Sequence, residues 1–391
     1  MSMRKRAAVV VGAGLNGLGI VRALGVYGVD VSVVDSNSKR PAMYSRFAEP
    51  KLVGSLTGES FIHDLQNILV EYEQPPVLFV TEEAPLMEIS RNRESILDKC
   101  VMLLPPHERL VQLMSKSGID SLCEEYQIPH PRTAHIQSPD DLSAITDFRF
   151  PVMLKPGVKS LEYARRFKKG YKLNTPEEVN TLVEEILPVL DNLVVQEWIE
   201  GGDRDIYFVL LFLSREKEII SSFTGRKLRS WPQPVGGTAS CAPAYEREAE
   251  LVKMAADFLR KSGFVGLGGV EYKQNPNDGT YYLIEPTVSR TDFQHEVAVI
   301  NGNNMPYHVY CYHSGLPYHP KKTDIQQAWI EPVTDKWSRE VTGISDRDLY
   351  NGYRKVGALF RWYDPVPWLV SYKNRVTGKI KSFERLIQQS N

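Results

Sequence analysis

The sequence predicts an α/β protein, with a parallel-sheet domain at the N-terminus followed by a larger α+β part. Three observations carry this. Ala7 to Val11 is a continuous apolar run that passes through Gly12-Ala-Gly14-Leu-Asn-Gly17 into a helical pattern, Leu18 to Tyr27, and then into VDVSVVD ending at Asp35, a complete β-α-β unit. Further on, Leu193 to Ile199, Ile206 to Leu213 and Ile219 to Gly225 are strand-like runs that follow one another with no helix between them. Finally, Phe264 to Arg290 reads as a hairpin, because GVEYK and TYYLIE flank the turn residues Asn-Pro-Asn-Asp-Gly.

Length and charge narrow the function. The 391 residues leave room for two or three domains, and 47 Lys and Arg against 48 Asp and Glu give a near-neutral balance, without the basic excess of a nucleic-acid or membrane surface. Small molecules are therefore the expected partners, with neither nucleic acid nor membrane among them. Cys100, Cys123, Cys241 and Cys311 stand far apart, so reduced thiols are expected and no zinc spacing is offered. MSMRKRAAVVVGAGLNGLGIV has the basic start and apolar run of a signal peptide, but glycines and Asn16 break the run and no small-residue cleavage pattern closes it. The longest later apolar run, Tyr207 to Leu213, is far too short to span a bilayer. Cytoplasm is the expected compartment.

The glycine spacing and an acid 18 residues after Gly17 match the dinucleotide fingerprint. The same glycines serve a tight turn and close helix approach in any doubly wound sheet, so a nicotinamide or flavin cofactor and a packing role both stay open. After Asp35 comes a loop with Tyr44, Ser45 and Arg46 before a short strand. A helix is expected from about Glu59 to Tyr72, a buried strand over Pro75 to Thr81, and a helix start in Pro85 to Arg93. This Rossmann-like domain is expected to end near Pro105-Pro106.

HERLVQLMSKSGIDSLCEEYQIPHPRT predicts one helical stretch bearing Lys116, closed by the extended Ile128 to Thr133. Phe150 to Pro156 is a strand with Lys155 at its end, either a snorkelling surface lysine or a phosphate ligand, and the basic loop GVKSLEYARRFKKG follows. Thr175-Pro-Glu-Glu supplies an N-cap, a first-turn proline and acids at the helix dipole, so Pro176 to Leu190 is a helix. The strand Leu193 to Ile199 runs into a Glu-Gly-Gly hinge, and Ile219 to Gly225 leads into a basic, glycine-bounded segment, GRKLRSWPQPVGG. Tyr245 to Ser262 is an amphipathic helix.

The hairpin carries the chemistry. If its pairing is symmetric about Asp278, Glu271 stands opposite Glu285 on one face, with Cβ atoms roughly 5 Å apart. Carboxylates that close repel unless one is protonated or a cation lies between them, and Mg²⁺ prefers one or two carboxylates together with nucleotide phosphates. The plainer alternative is that one of the two faces solvent.

In this order the parts resemble the ATP-grasp superfamily with its preceding Rossmann-like domain, in particular carboxylate-amine ligases similar to D-aspartate ligase and to the ATP-binding half of a carbamoyl-phosphate-synthase subunit. The resemblance spans residues 5 to 315 and rests on the order of several short motifs rather than on any one. It implies a Rossmann-like domain over 1–106, an ATP-grasp fold of two α+β subdomains over 107–318 (the smaller about 112–200, the larger about 201–318), and a C-terminal extension, 319–391. Lys116, before an IP.P.T segment, and Lys155, in PV.LKP, would reach the nucleotide phosphates. Gln196, Glu197, Trp198 and Ile199 would hold adenine, with backbone groups of Glu197 and Ile199 at its edge and Asp203 or Asp205 at the ribose. Glu271 and Glu285 would hold Mg²⁺, for which Mn²⁺ could substitute. The common Glu-x-Asn-Pro-Arg is here Glu285-Pro-Thr287-Val-Ser-Arg290, which puts Thr287 in place of the amide ligand and shifts the arginine by one. Arg226, Lys227 and Arg229 occupy the family's basic segment and, with Arg290, are the implied holders of the acyl phosphate or carboxylate, a task that suits the guanidinium fork.

The activity implied is transfer of the ATP γ-phosphoryl group to a carboxylate, giving an acyl phosphate that an amine attacks to form an amide. Charge neutralisation and positioning carry such a step, so the lack of a Ser-His-Asp or Cys-His arrangement agrees with it. The competing readings are an NAD(P)-linked oxidoreductase built on Gly12 to Asp35 and a non-catalytic nucleotide-binding protein. On the ligase reading the first crevice holds no dinucleotide and could take part of the carboxylate substrate near Asn16. Residues 320 to 391 carry no motif and could complete the acceptor site, form a homodimer contact or cover a sheet edge.

Overall fold

A computed structural model describes residues 6–157, 161–234, 236–321 and 323–374. The start of the N-terminal basic stretch, residues 158–160 of the basic loop, Val235 of the basic segment, Lys322 and residues 375–391 lie outside the described residues. Three sheets carry the fold. Strands β1 (Ala8–Val11), β2 (Val31–Asp35), β3 (Ala48–Leu52) and β4 (Val77–Val80) form a parallel sheet of order β3-β2-β1-β4. β1, β2 and β4 are buried along their whole length, which is why they read as unbroken apolar runs rather than alternating ones. The helix Leu15–Gly25 makes the β1-to-β2 crossover, and helices at Gly58–Leu69 and Glu83–Arg91 follow.

The single helix expected around Lys116 is two, His107–Met114 and Lys116–Glu125. Ser115 breaks it: its backbone is extended (φ −95°, ψ 142°) and its hydroxyl accepts the Gly118 N–H at 3.1 Å as an N-cap. Lys116 thereby becomes the first residue of a helix. The second sheet is antiparallel, of order β5-β8-β6-β7, from β5 (Thr133–Ile136), β6 (Val152–Pro156), β7 (Tyr171–Leu173) and β8 (Leu193–Glu197). Helix Pro176–Ile186 backs it, with the Thr175 hydroxyl accepting from the Glu178 N–H, and a short helix, Leu161–Arg166, occupies part of the expected basic loop.

The third sheet has the order β13-β12-β9-β10-β11-β14-β15. Its members are β9 (Ile206–Leu213), β10 (Ile219–Trp231), β11 (Gly237–Pro243), β12 (Gly266–Gln274), β13 (Tyr281–Val288), β14 (Gln327–Ile330) and β15 (Arg354–Gly357). β10 runs on from Gly225 through the basic segment as far as Trp231. The amphipathic helix is Glu248–Lys261, against β9 and β10. The stretch after residue 320 covers a sheet edge: β14 pairs with β11, placing Trp329 beside Cys241, and both are fully buried. Among the described residues no helix is long and apolar enough to cross a membrane.

The β12–β13 hairpin holds one irregularity that matters. Near the turn Tyr272 faces Leu283 and Lys273 faces Tyr282, a register centred half a residue before Asp278, whereas Glu271 faces Glu285. Ile284 is the extra residue of a β-bulge between them. The acids face each other because of that bulge, not because the turn is symmetric about Asp278.

Candidate active site

The second and third sheets enclose a cleft of about 1100 Å³, counted out to its open mouth. Lys116, Lys155, Lys169, Lys227 and Lys273 line it, and Glu271, Glu285 and Asp292 lie at one end. Strand alternation puts these side chains there: Lys227 on β10 projects from the same face as Glu271 on β12, and its ammonium lies 2.8 Å from that carboxylate. Burial pushes the Glu271 carboxyl up, and Lys227 offsets only part of that. Burial also works against the charge on Lys227, yet Glu271 outweighs it and holds the lysine above its ordinary range. The Glu285 side chain is 54% accessible at the cleft, 3.7 Å from Lys116. Enclosure between the lobes would raise its carboxyl, but Lys116, Lys227 and Lys155 together hold it below the usual range.

These donors fit a magnesium-type ion. Two facing carboxylates and the Thr287 hydroxyl, two residues beyond Glu285 on β13 and opposite Gly269, are all hard oxygen donors. Among the described residues no three His, Cys, Asp or Glu gather into a protein-only metal cage.

Lys155, at the end of β6, donates to the Gln196 side-chain oxygen at 2.9 Å. Burial and the neighbouring Lys116 ammonium push it down to about 7. The Trp198 ring centre lies 4.5 Å from the ammonium of Lys172 and 4.5 Å from that of Lys273. Glu197 turns its carboxylate away, onto the Arg149 backbone N–H and guanidinium, and its own N–H donates to the Arg132 carbonyl. Ile199 lines the cleft beside Trp198. Asp203 accepts from the Ser230 N–H and the Gln233 amide at the end of β10, and Asp205 accepts from the Gly202 N–H of the hinge, so both carboxylates are already engaged by the protein.

Of the four implied substrate-holding cations, Lys227 faces the acids and two arginines do not. Arg226 points to the other face of the sheet, onto the Tyr207 hydroxyl and Glu246. Arg229 is 1% exposed and is bound at 2.9 Å by both Asp335 and Asp346, with the Ile344 carbonyl also accepting from it. A register shift between Lys227 and Arg229 puts Leu228 and Arg229 together against Tyr350. Arg290 sits behind the acids, 2.8 Å from Glu83 of the N-terminal domain, in a crevice shared with Glu271, Glu285, Thr287 and Asp292.

No family model matches the sequence. The sequence is similar to the D-aspartate ligase of Enterococcus faecium (strain Aus0004), 23% identical over 317 residues, 76% of this chain and 74% of that protein. The structure is similar to an N5-carboxyaminoimidazole ribonucleotide synthetase solved as its ADP complex, with TM-score 0.65, 14% identity and coverage of 84% and 82% of the two chains. It is also similar to the Thermus thermophilus enzyme of that name, with TM-score 0.63, 17% identity and 82% of each chain. The biotin carboxylase domain dimer of Hydrogenobacter thermophilus 2-oxoglutarate carboxylase, solved with MgADP, ADP and bicarbonate, aligns with TM-score 0.61, 14% identity, and 83% and 74% coverage. This is an ATP-grasp fold. It follows a Rossmann-like domain, as the resemblance implied.

Within the ATP-grasp cleft the sequence left several residues unmarked. Lys273 is buried on β12 beside the Glu271 position, and burial lowers its basicity. Asp292 lines both the cleft and the crevice behind it, and burial raises its carboxyl. Gln294 donates to the Thr238 hydroxyl at the cleft wall. For Lys273 the available signal was its place two residues after Glu271 on the same strand face. Asp292 and Gln294 lie past the end of β13, where no periodicity reports direction.

The glycine loop of the Rossmann-like domain is filled by the protein itself. Asp35 accepts the Ala13 N–H at 2.6 Å and the Asn37 N–H at 2.8 Å. Gly12, with φ +97°, lies so close to Thr81 that a Cβ would come within 2.2 Å of its hydroxyl. Asn16 is engaged with the Thr81 and Thr291 carbonyls rather than facing an open crevice.

Proposed function

We propose that this chain is an ATP-dependent carboxylate-amine ligase, forming an amide with release of ADP and phosphate. The single observation that carries it is Glu271 facing Glu285 at the end of a lysine-lined cleft, with Lys227 and Lys116 on the two acids. Lys116 and Lys155, which line the cleft, would hold the transferring phosphates, where positive charge acts on the charge such transition states gather. The site would take Mg²⁺ on Glu271 and Glu285, with Thr287 nearby, and the ion would neutralise phosphate charge when bound. Trp198 and Ile199 would face the base. A carboxylate oxygen attacks the γ-phosphorus as the bond to ADP breaks. The amine nitrogen then attacks the acyl carbon, phosphate leaves, and the ammonium protons pass to phosphate and water. Lys227 and Arg290 are the cations on hand for the acyl phosphate. Arg226 and Arg229 are not.

By likeness to D-aspartate ligase the acid is taken to be an amino acid, and D-aspartate is the first to assay. As an ATP consumer the protein is expected in the cytoplasm. ADP release over a matrix of carboxylic acids and amines, with mass detection of the condensed product, tests the reading; no acid-dependent ADP release with any pair would sink it.

A further inference from the structure

We infer that Gln196 is a positioning residue for Lys155, steering its ammonium to the phosphate end of the cleft, and is not a contact to adenine; this rests on the ATP site proposed above. Three neighbouring strands build the arrangement. Thr133 on β5 stands directly opposite Gln196 on β8, Met153 on β6 stands opposite Gln196 from the other side, and Lys155 lies two residues past Met153 on the same face. The Thr133 hydroxyl donates to the Pro131 carbonyl at 2.8 Å, so it accepts from the Gln196 amide nitrogen at 2.9 Å. That leaves the Gln196 oxygen aimed at the Lys155 ammonium, 2.9 Å away. The Thr133 end fixes this orientation, and a flipped amide would set NH₂ against the Lys155 nitrogen, which as an ammonium can only donate.

The Gln196 side chain is held at both ends by these two bonds, on the strand face that Met153 and Lys155 present to the cleft. A neutral amide suits the task. It orients the Lys155 side chain without setting a counter-charge against it, whereas a carboxylate there would compete with a phosphate for the lysine.

Binding of ATP, GTP and inorganic tripolyphosphate, each with Mg²⁺, tests this on four proteins: wild type, Gln196→Leu, Lys155→Ala and the double variant. Gln196→Leu should weaken all three ligands by a common factor of about five, and should add nothing once Lys155 is already alanine, because a residue acting through another shows full coupling in such a cycle. Thr133→Val, which removes only the hydroxyl that orients the amide, should give a smaller loss of the same pattern, and it covers the case in which Gln196→Leu fails to fold. A loss confined to ATP with tripolyphosphate unchanged, or an equal further loss in the Lys155→Ala background, would overturn the inference in favour of an adenine contact. Failure of the wild-type protein to bind ATP at all would overturn the ligase reading and this inference with it.

Discussion

Asn16 and Thr291, 275 residues apart, are joined by two hydrogen bonds: the Asn16 amide donates to the Thr291 carbonyl at 2.6 Å and the Thr291 hydroxyl donates to the Asn16 oxygen at 2.6 Å. The loop after β13 thus closes over the first helix N-terminus, where a dinucleotide pyrophosphate would lie. ATP with Mg²⁺ should raise the melting temperature, and NAD(H) and NADP(H) should leave it unchanged. A ligand at a hundred times its Kd adds about 2.7 kcal/mol, ample for thermal-shift detection. Stabilisation by NADH alone would restore the oxidoreductase reading.

The two acids should separate in stability though not in activity. Either Glu271→Gln or Glu285→Gln should cut ADP formation about a hundredfold or more. Glu271→Gln also strands the buried Lys227 ammonium, at a cost of about 3 kcal/mol. Glu285→Gln, at an accessible side chain, should stay within about 1 kcal/mol of wild type. Urea denaturation beside a coupled ADP assay measures both; equal stability losses would contradict the Lys227–Glu271 pairing.

Arg229 should prove structural. Its guanidinium joins β10 to Asp335 and Asp346 of the C-terminal stretch, so Arg229→Leu should cost about 3 kcal/mol, and Arg229→Lys should not restore it because one ammonium cannot reproduce the fork. KM for ATP in the folded fraction should be near wild type. A stable variant with a collapsed kcat would return Arg229 to the substrate site.

Lys155 should take up a proton when ATP binds. With its basicity pushed down to about 7 by burial and Lys116, it is mostly neutral at pH 8.5, and phosphates would recharge it. Calorimetry in buffers of different ionisation enthalpy should find uptake of about one proton per ATP at pH 8.5 and little at pH 6, and Lys155→Met should abolish it. In the unliganded protein the sign is opposite. The unfolded chain keeps this proton above pH 7 while the folded one has lost it, so the lysine's contribution to stability rises with pH from about 7 towards its ordinary value of 10.5.

The sequence revealed those parts of the site that local alternation decides. Glu271 and Glu285 were found because a hairpin announces itself by its turn, although the bulge at Ile284 that sets their register did not. Ser115 carried a cap signal, but the apolar spacing ran on across it, so one helix was read where there are two. The arginines were misdirected for a different reason. Arg226 simply alternates to the far face, whereas Arg229 is turned by a bulge and held by Asp335 and Asp346, which come from a stretch with no motif and approach only through the tertiary fold. For Gln196 the motif records which residue is present but not that its side chain bonds Lys155 and Thr133.

One clasp has a bearing on how the chain is made. Arg22, buried in the first helix, is held by Asp364 at 2.8 Å and by the Leu359 carbonyl, and Asp364 also accepts from Ser45. A ribosome delivers Arg22 342 residues before its carboxylate, so throughout synthesis the N-terminal sheet carries a charge with no counter-ion and a helix face with no cover. Domains emerging early usually fold early, yet this one can reach its final packing only when the stretch from Ala358 to Asp364 arrives. The parallel-sheet unit therefore waits on residues far downstream, and a nascent chain stalled before Phe360 would present that unfinished face to chaperones.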